Sequence, residues 1–154
     1  MKTTFSILLF FLTFSVFPQV SFNIGNAQLE SDLHSINRQG TSNYISFKQE
    51  LSVSFNIPVQ KIDYMRSELH LIPGEIFLTL EIARLTRRSY VDVLRVYEKD
   101  KAKGWGYIAK QLGIKPGSAE FHQLKNNASS KKSKWKSASN GHGNRNKNSK
   151  KRKS

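Results

Sequence analysis

The residues that could do chemistry in this chain are its four histidines and eleven carboxylates, because the sequence contains no cysteine. A helical metal site needs two ligands four residues apart, and no pair among His34, His70, His122 and His142 has that spacing. No serine stands in a Gly-x-Ser-x-Gly elbow, and there is no glycine-rich phosphate loop. The sequence therefore predicts a non-enzymatic protein with no catalytic residue, cofactor, metal or small-molecule substrate.

Electrostatic attraction is the chemistry that the sequence does offer, and it is concentrated at the C-terminal end. Residues 127–154 carry ten Lys/Arg and no Asp or Glu, whereas residues 28–126 carry 14 basic and 11 acidic side chains. Because this segment is rich in Ser, Asn, Lys and Gly, it is predicted to be a disordered basic tail. We expect it to bind polyanions through Lys131, Lys132, Lys134, Trp135, Lys136, Arg145, Lys147, Lys150, Lys151, Arg152 and Lys153.

The partner of such a tail is left open by the sequence. Lipid head groups, lipopolysaccharide, acidic polysaccharide and nucleic acid all present the negative charge that lysine and arginine attract. The tail could instead serve only to keep the protein soluble. A further alternative is a protein-interaction module of the cell envelope that binds through Arg84, Arg87 and Arg88, although these three also suit the negative end of a helix dipole.

Residues 104–114, GWGYIAKQLGI, resemble the first helix and turn of bacterial helix-turn-helix proteins. In that alternative Ala109 packs where the helices cross, Gly113 makes the turn, and the protein binds nucleic acid. The next helix would present Glu120, His122, Gln123 and Lys125 to the major groove. The intervening turn is longer than the usual three or four residues, and phosphates would repel Glu120.

A wider resemblance covers residues 104–125, which contain GWG, IA, LGI, PGS, FH and LK in that order. This stretch is similar to a segment of small exported bacterial proteins that are all-helical. The resemblance implies a small helical exported domain followed by a variable polar tail, and it implies no activity. Trp105 between two glycines predicts a large ring packed where two backbones approach closely, and structural roles are expected for Trp105, Gly106, Ala109 and Gly113.

The N-terminal end predicts export to the periplasm or the medium. A short basic start precedes an apolar run over residues 5–17. Gly25 and Ala27 then place small residues three and one positions before a cut ahead of Gln28, as in a secretory signal peptide over residues 1–27. The alternative is an uncleaved membrane anchor, but a helix of that length reaches only about 20 Å of a ~30 Å hydrocarbon core. No transmembrane segment is expected after cleavage.

The elements between the two ends are predicted to be helices. Residues 28–42 are interpreted as a polar, irregular lead-in, and residues 43–126 as the helical domain. Apolar residues recur every three or four positions from Tyr44, and the proline and serine signals place further helix starts along the chain. The predicted starts are Tyr44, Pro58, Pro73, Ser89 as a cap, Trp105 and Ser118 as a cap.

The sequence contains a possible internal repeat with an offset of 32 residues. Each of its two copies is a predicted helix, a short turn and a second helix. The alignment pairs Val59 with Val91, Ile62 with Leu94, Gly74 with Gly106, Ile76 with Ile108, Leu80 with Leu112 and Ile82 with Ile114. Amphipathic helices of similar length could produce the same matches without duplication. The expected fold is all-α: a small orthogonal bundle of four to six short helices, followed by the basic tail.

Overall fold

The chain folds as a helical domain, which confirms the predicted all-α class. The computed structural model describes residues 20–144, with side chains through residue 137, and this part of the chain contains no strand. Its seven α-helices follow one another through short turns, with the one-turn 3₁₀ helix Lys101–Lys103 before the sixth. They are α1 (Ala27–Ser42), α2 (Tyr44–Phe55), α3 (Val59–Ser67), α4 (Pro73–Thr86), α5 (Tyr90–Asp100), α6 (Trp105–Gln111) and α7 (Ala119–Asn144).

Six of the seven helices begin within one residue of their predicted starts, because local signals fix those starts. Pro58 occupies the N-cap of α3, and Pro73 is the first residue of α4. The Ser89 hydroxyl accepts a hydrogen bond from the Asp92 amide at 3.1 Å, and the Ser118 hydroxyl accepts one from the Phe121 amide at 3.1 Å. Each side chain satisfies an amide that the helix itself leaves without a partner.

Helix α1 contradicts the prediction for residues 28–42, which were expected to be an irregular lead-in. In the structure Leu29, Leu33 and Ile36 lie on one face of α1 and are fully buried. The Asn26 side chain caps α1 by accepting a hydrogen bond from the Leu29 amide at 2.9 Å. This spacing of four and three residues is itself a helical pattern, and the polar residues between these three positions obscured it.

An irregular segment before α1, residues 22–26, is also part of the domain, although it lies within the predicted signal peptide. Phe22 and Ile24 are only 1% and 3% exposed. Two amides at the start of α6 donate to this segment, Trp105 to the Phe22 carbonyl at 2.8 Å and Gly106 to the Asn23 carbonyl at 3.0 Å. The folded domain therefore begins at Phe22, six residues before the predicted cleavage point.

The two units related by the internal repeat have the same helix-turn-helix architecture, α3–α4 and α5–α6. Four of the aligned pairs are buried in both units: Ile62 with Leu94, Ile76 with Ile108, Leu80 with Leu112 and Ile82 with Ile114. The aligned glycines both lie against the N-terminal segment. A Cβ on Gly74 would overlap the Phe22 ring, and one on Gly106 would lie 2.8 Å from the Asn23 carbonyl oxygen. Val91 departs from the pattern because it is exposed.

The Glu75 carboxylate connects the start of α4 to α5 and α6. One oxygen accepts hydrogen bonds from the Tyr97 hydroxyl at 3.0 Å and the Trp105 indole N–H at 3.3 Å. The other accepts from the Ile72 amide at 3.1 Å. The rings of Tyr97 and Trp105 stack with centroids 5.0 Å apart. Because both oxygens have donors, this carboxylate satisfies partly buried polar atoms of three helices at once.

This contact predicts that the domain loses stability at high pH. Burial raises the pKa of Tyr97 above its ordinary value near 10, and the charge of Glu75 raises it further. Above about pH 10 the unfolded chain loses a phenol proton that the folded chain keeps, so the free energy of unfolding should fall as the pH rises. Urea unfolding between pH 8 and 11 measures this fall.

The matched variant is Tyr97→Phe, which has no phenol proton to lose. We expect a shallower fall with pH in this variant, with the remainder supplied by Tyr44, whose pKa burial raises to about 12. An unchanged pH dependence in Tyr97→Phe would show that Tyr97 does not titrate with a raised pKa in the folded state.

Candidate anion-binding site on the C-terminal helix

The helix α7 carries the first part of the predicted basic tail, and one of its faces is in the core. Phe121, Leu124 and Ala128 are buried, and Trp135 packs against the same core. The helix packs mainly against α1 and α4. The disordered tail was predicted to begin at residue 127. In the structure residues 127–144 are helical instead. Intervals of three, four and seven residues place these four side chains on one face.

Two of the predicted polyanion-binding lysines form ion pairs within the domain. The Lys131 ammonium lies 2.9 Å from a carboxylate oxygen of Glu50 on α2 and 3.0 Å from the Ser54 hydroxyl. The Lys132 ammonium pairs with Asp32 of α1, a residue that is only 1% exposed. Both positive charges are thus compensated, and the pairs attach α7 to α1 and α2.

The predicted aromatic contact, Trp135, also faces inward. Its ring is partly buried and lies 5.1 Å from the Phe47 ring, measured between centroids. The Lys131 ammonium lies 5.5 Å from the Trp135 ring centroid, which adds a cation–π contact. In this position the indole stabilises the attachment of α7.

Lys134 and Lys136 stand on either side of Trp135 in α7, and both are exposed. Lys134 lines an open cavity of about 220 Å³ between α7, α2 and α4, with Arg84 and Lys131 also at its wall. The buried Glu81 carboxylate at this cavity pairs with the Arg84 guanidinium and accepts from the Asn127 side-chain amide at 2.5 Å. The cavity wall is therefore basic but partly neutralised.

The other predicted cations lie elsewhere. Arg87 ends α4 with a left-handed backbone, φ +54°, and Arg87 and Arg88 are both exposed. Of the three arginines considered for a protein contact, Arg84 is the one held in an ion pair within the described part of the chain. The remaining residues of the predicted anion site lie outside the described residues: Arg145, Lys147, Lys150, Lys151, Arg152 and Lys153.

The packing around α6 and α7 differs from that of a helix-turn-helix reader. There the two helices pack closely across a short turn, whereas here α6 packs mainly against α5 and α7 against α1 and α4. Ala109 is buried in the core, and Gly113 has a φ of +103°, which suits a turn after α6. His122 and Gln123 are exposed, while Glu120 and Lys125 are half-buried.

The acidic partners of the basic residues are not evident from the sequence. Asp32, Glu50 and Glu81 are distant in sequence from the lysines and the asparagine that contact them. One signal was available for Asp32, because it lies between Leu29 and Leu33 on the apolar face of α1. A carboxylate at a core position needs a cation or a hydrogen-bond donor beside it, so the position of Asp32 predicts such a partner.

Within residues 20–144 no helix has the length and apolar character needed to cross a bilayer. The same part of the chain has no cluster of three or more histidine and acidic side chains arranged to hold a metal ion. Comparison of the chain with protein-family models, with curated proteins and with solved structures finds no match.

Proposed function

We propose that this chain is an exported, non-enzymatic helical protein that attaches to anionic polymers through the cations at its C-terminal end. The observation that carries the proposal is the separation of charge along α7. Lys131 and Lys132 form ion pairs within the domain, whereas Lys134 and Lys136 are exposed and the other six basic residues of 127–154 follow at positions 145–153. No acidic residue accompanies those eight in that stretch of sequence.

The geometry of α7 supports this role. The helix is attached to the domain as far as Trp135 and continues to Asn144. Nine further residues at about 1.5 Å each carry the backbone roughly 13 Å beyond Trp135. Six basic residues follow in the sequence at positions 145–153, after a helix whose first lysines are neutralised by ion pairs.

The position of Trp135 favours a polymeric anion, such as an acidic polysaccharide or nucleic acid, over a lipid bilayer. Attachment to a bilayer is strengthened when an indole lies at the interface, and this indole packs against Phe47. A purely electrostatic contact with a polyanion requires no inserted ring. Export itself is supported by the apolar run at residues 5–17 and by the resemblance of residues 104–125 to small exported proteins.

The experiment is a salt series with duplex DNA as the probe polyanion. In the test variant, the six Lys/Arg of 145–153 are replaced by glutamine in the full chain. In the matched control, six exposed cations elsewhere are replaced by glutamine: Lys61, Arg88, Lys99, Lys101, Lys110 and Lys115. The two variants have the same net charge, so a difference between them reports position.

We expect the slope of log K against log salt to be no steeper than about −7 for the parent, since eight charges contribute at most about 0.9 each. The test variant should lose up to about 5 units of that slope, and the control should lose little. Equal losses in the two variants would show that net charge alone drives binding and would overturn the proposal. Binding that is tight only to anionic vesicles would overturn the preference for a polymer.

A further inference from the structure

We infer that removal of the leader leaves Phe22 on the mature chain, and that the bond cut is Ser15–Val16 and not Ala27–Gln28. This inference rests on the export proposed above. Water adds across the Ser15–Val16 peptide bond in a host signal peptidase, leaving a carboxylate on Ser15 and an amine on Val16. The mature chain then begins six residues before the folded domain.

Two side chains before Gln28 are buried in the core. A cut before Gln28 would remove Phe22 and Ile24, which are 1% and 3% exposed. The Phe22 ring packs against Gly74, where even a Cβ would overlap it, and its centroid lies 5.4 Å from that of the His34 ring. The space that Phe22 fills lies between α1 and α4, so its loss would open a cavity inside the domain.

The backbone before Gln28 is also hydrogen-bonded to the rest of the domain. The Glu30 carboxylate accepts from the Phe22 amide at 2.6 Å and from the Ile24 amide at 3.2 Å. The same segment supplies the carbonyls that receive the first amides of α6, and Asn26 caps α1. A cut before Gln28 would remove partners from a carboxylate and from the starts of two helices together.

Few peptide bonds in the leader suit a signal peptidase. A signal peptidase selects small residues one and three positions before the cut, and the sequence up to Gln28 offers three such pairs. Thr4 with Ser6 precedes most of the apolar run, and Gly25 with Ala27 lies inside the folded domain. Thr13 with Ser15 lies near the end of the apolar run of residues 5–17; a cut there shortens the uninterrupted apolar part to residues 5–12, still within the usual 7–15 residues, and leaves the domain whole.

The direct test is the intact mass of the protein recovered from the periplasm or medium of an expressing bacterium. We expect the mass of the chain beginning at Val16. A mass corresponding to Gln28, or to any start after Phe22, would overturn the inference. A start between residues 17 and 22 would overturn the assigned bond and support the domain boundary.

A second measurement separates this inference from export. Chains 16–154 and 28–154 are purified and their thermal unfolding midpoints compared. We expect the shorter chain to unfold at least about 15 °C lower, or not to fold at all. Equal midpoints would overturn the domain boundary whatever the location of the protein. Full-length protein retained in the cytoplasm, combined with a lower midpoint for 28–154, would overturn export and support the boundary.

Discussion

Replacing Lys132 with methionine should lower the free energy of unfolding by roughly 3–5 kcal/mol, although the residue lies in a segment that reads as a solvated tail. The cause is Asp32, which is 1% exposed and pairs with the Lys132 ammonium. Its second partner is the Gln28 side-chain amide at 3.0 Å, which carries no charge. Removal of Lys132 would thus leave a buried carboxylate without a compensating cation.

The measurement is urea unfolding of the parent and of three variants. Lys134→Met is the matched control, because Lys134 is exposed on the same helix two residues away, and it should change stability by less than about 0.5 kcal/mol. The double variant Asp32→Leu, Lys132→Met replaces both charges with apolar groups and should recover most of the loss. Equal stability of Lys132→Met and Lys134→Met would show that the ion pair contributes nothing.

The positions of six helix starts could be predicted because each depends on neighbours within one turn. A proline at the first residue of α4 and a serine cap before α5 act locally, and the intervals between Tyr44, Phe47 and Leu51 are visible without any tertiary information. The overall class follows from the sum of such signals. Nothing comparable in the sequence determines which helices pack together.

The two ends of the domain could not be predicted in the same way, since their structure depends on distant partners. Residues 127–137 have too few apolar side chains to order themselves, and they are held by Glu50, Asp32 and Phe47, which belong to α1 and α2. The N-terminal segment is likewise held by Glu30 and by α6. By composition alone these segments resemble a polar tail and the end of a leader, and their tertiary contacts place both in the domain.

The structure also changes the predicted anion site, because two of its lysines contact residues that are distant in sequence. Charge counting treats all ten basic residues of 127–154 as equivalent, whereas the structure assigns Lys131 and Lys132 to structural ion pairs. A truncation at residue 126 would therefore remove Ala128 and Trp135 from the core together with the charges. Loss of binding in that truncation would have two possible causes, unfolding of the domain and removal of the charges. Substitution of the charges in the full chain tests the second cause alone.

The second large effect is expected at the other end of the domain, from Phe22→Ala. This substitution should lower the free energy of unfolding by about 3–5 kcal/mol, because it removes a fully buried ring and leaves a cavity between α1 and α4. A loss of that size is a large part of the roughly 5–15 kcal/mol typical of a small domain. Urea unfolding of the chain beginning at Val16 measures it directly.

Val20→Ala is the control, since Val20 lies two residues earlier and is 42% exposed. It should change the free energy of unfolding by no more than about 0.5 kcal/mol. The pair of variants thus locates the start of the domain between residues 20 and 22. If Phe22→Ala were as stable as Val20→Ala, the segment before α1 would contribute no packing energy, and the argument against a cut before Gln28 would lose its main support.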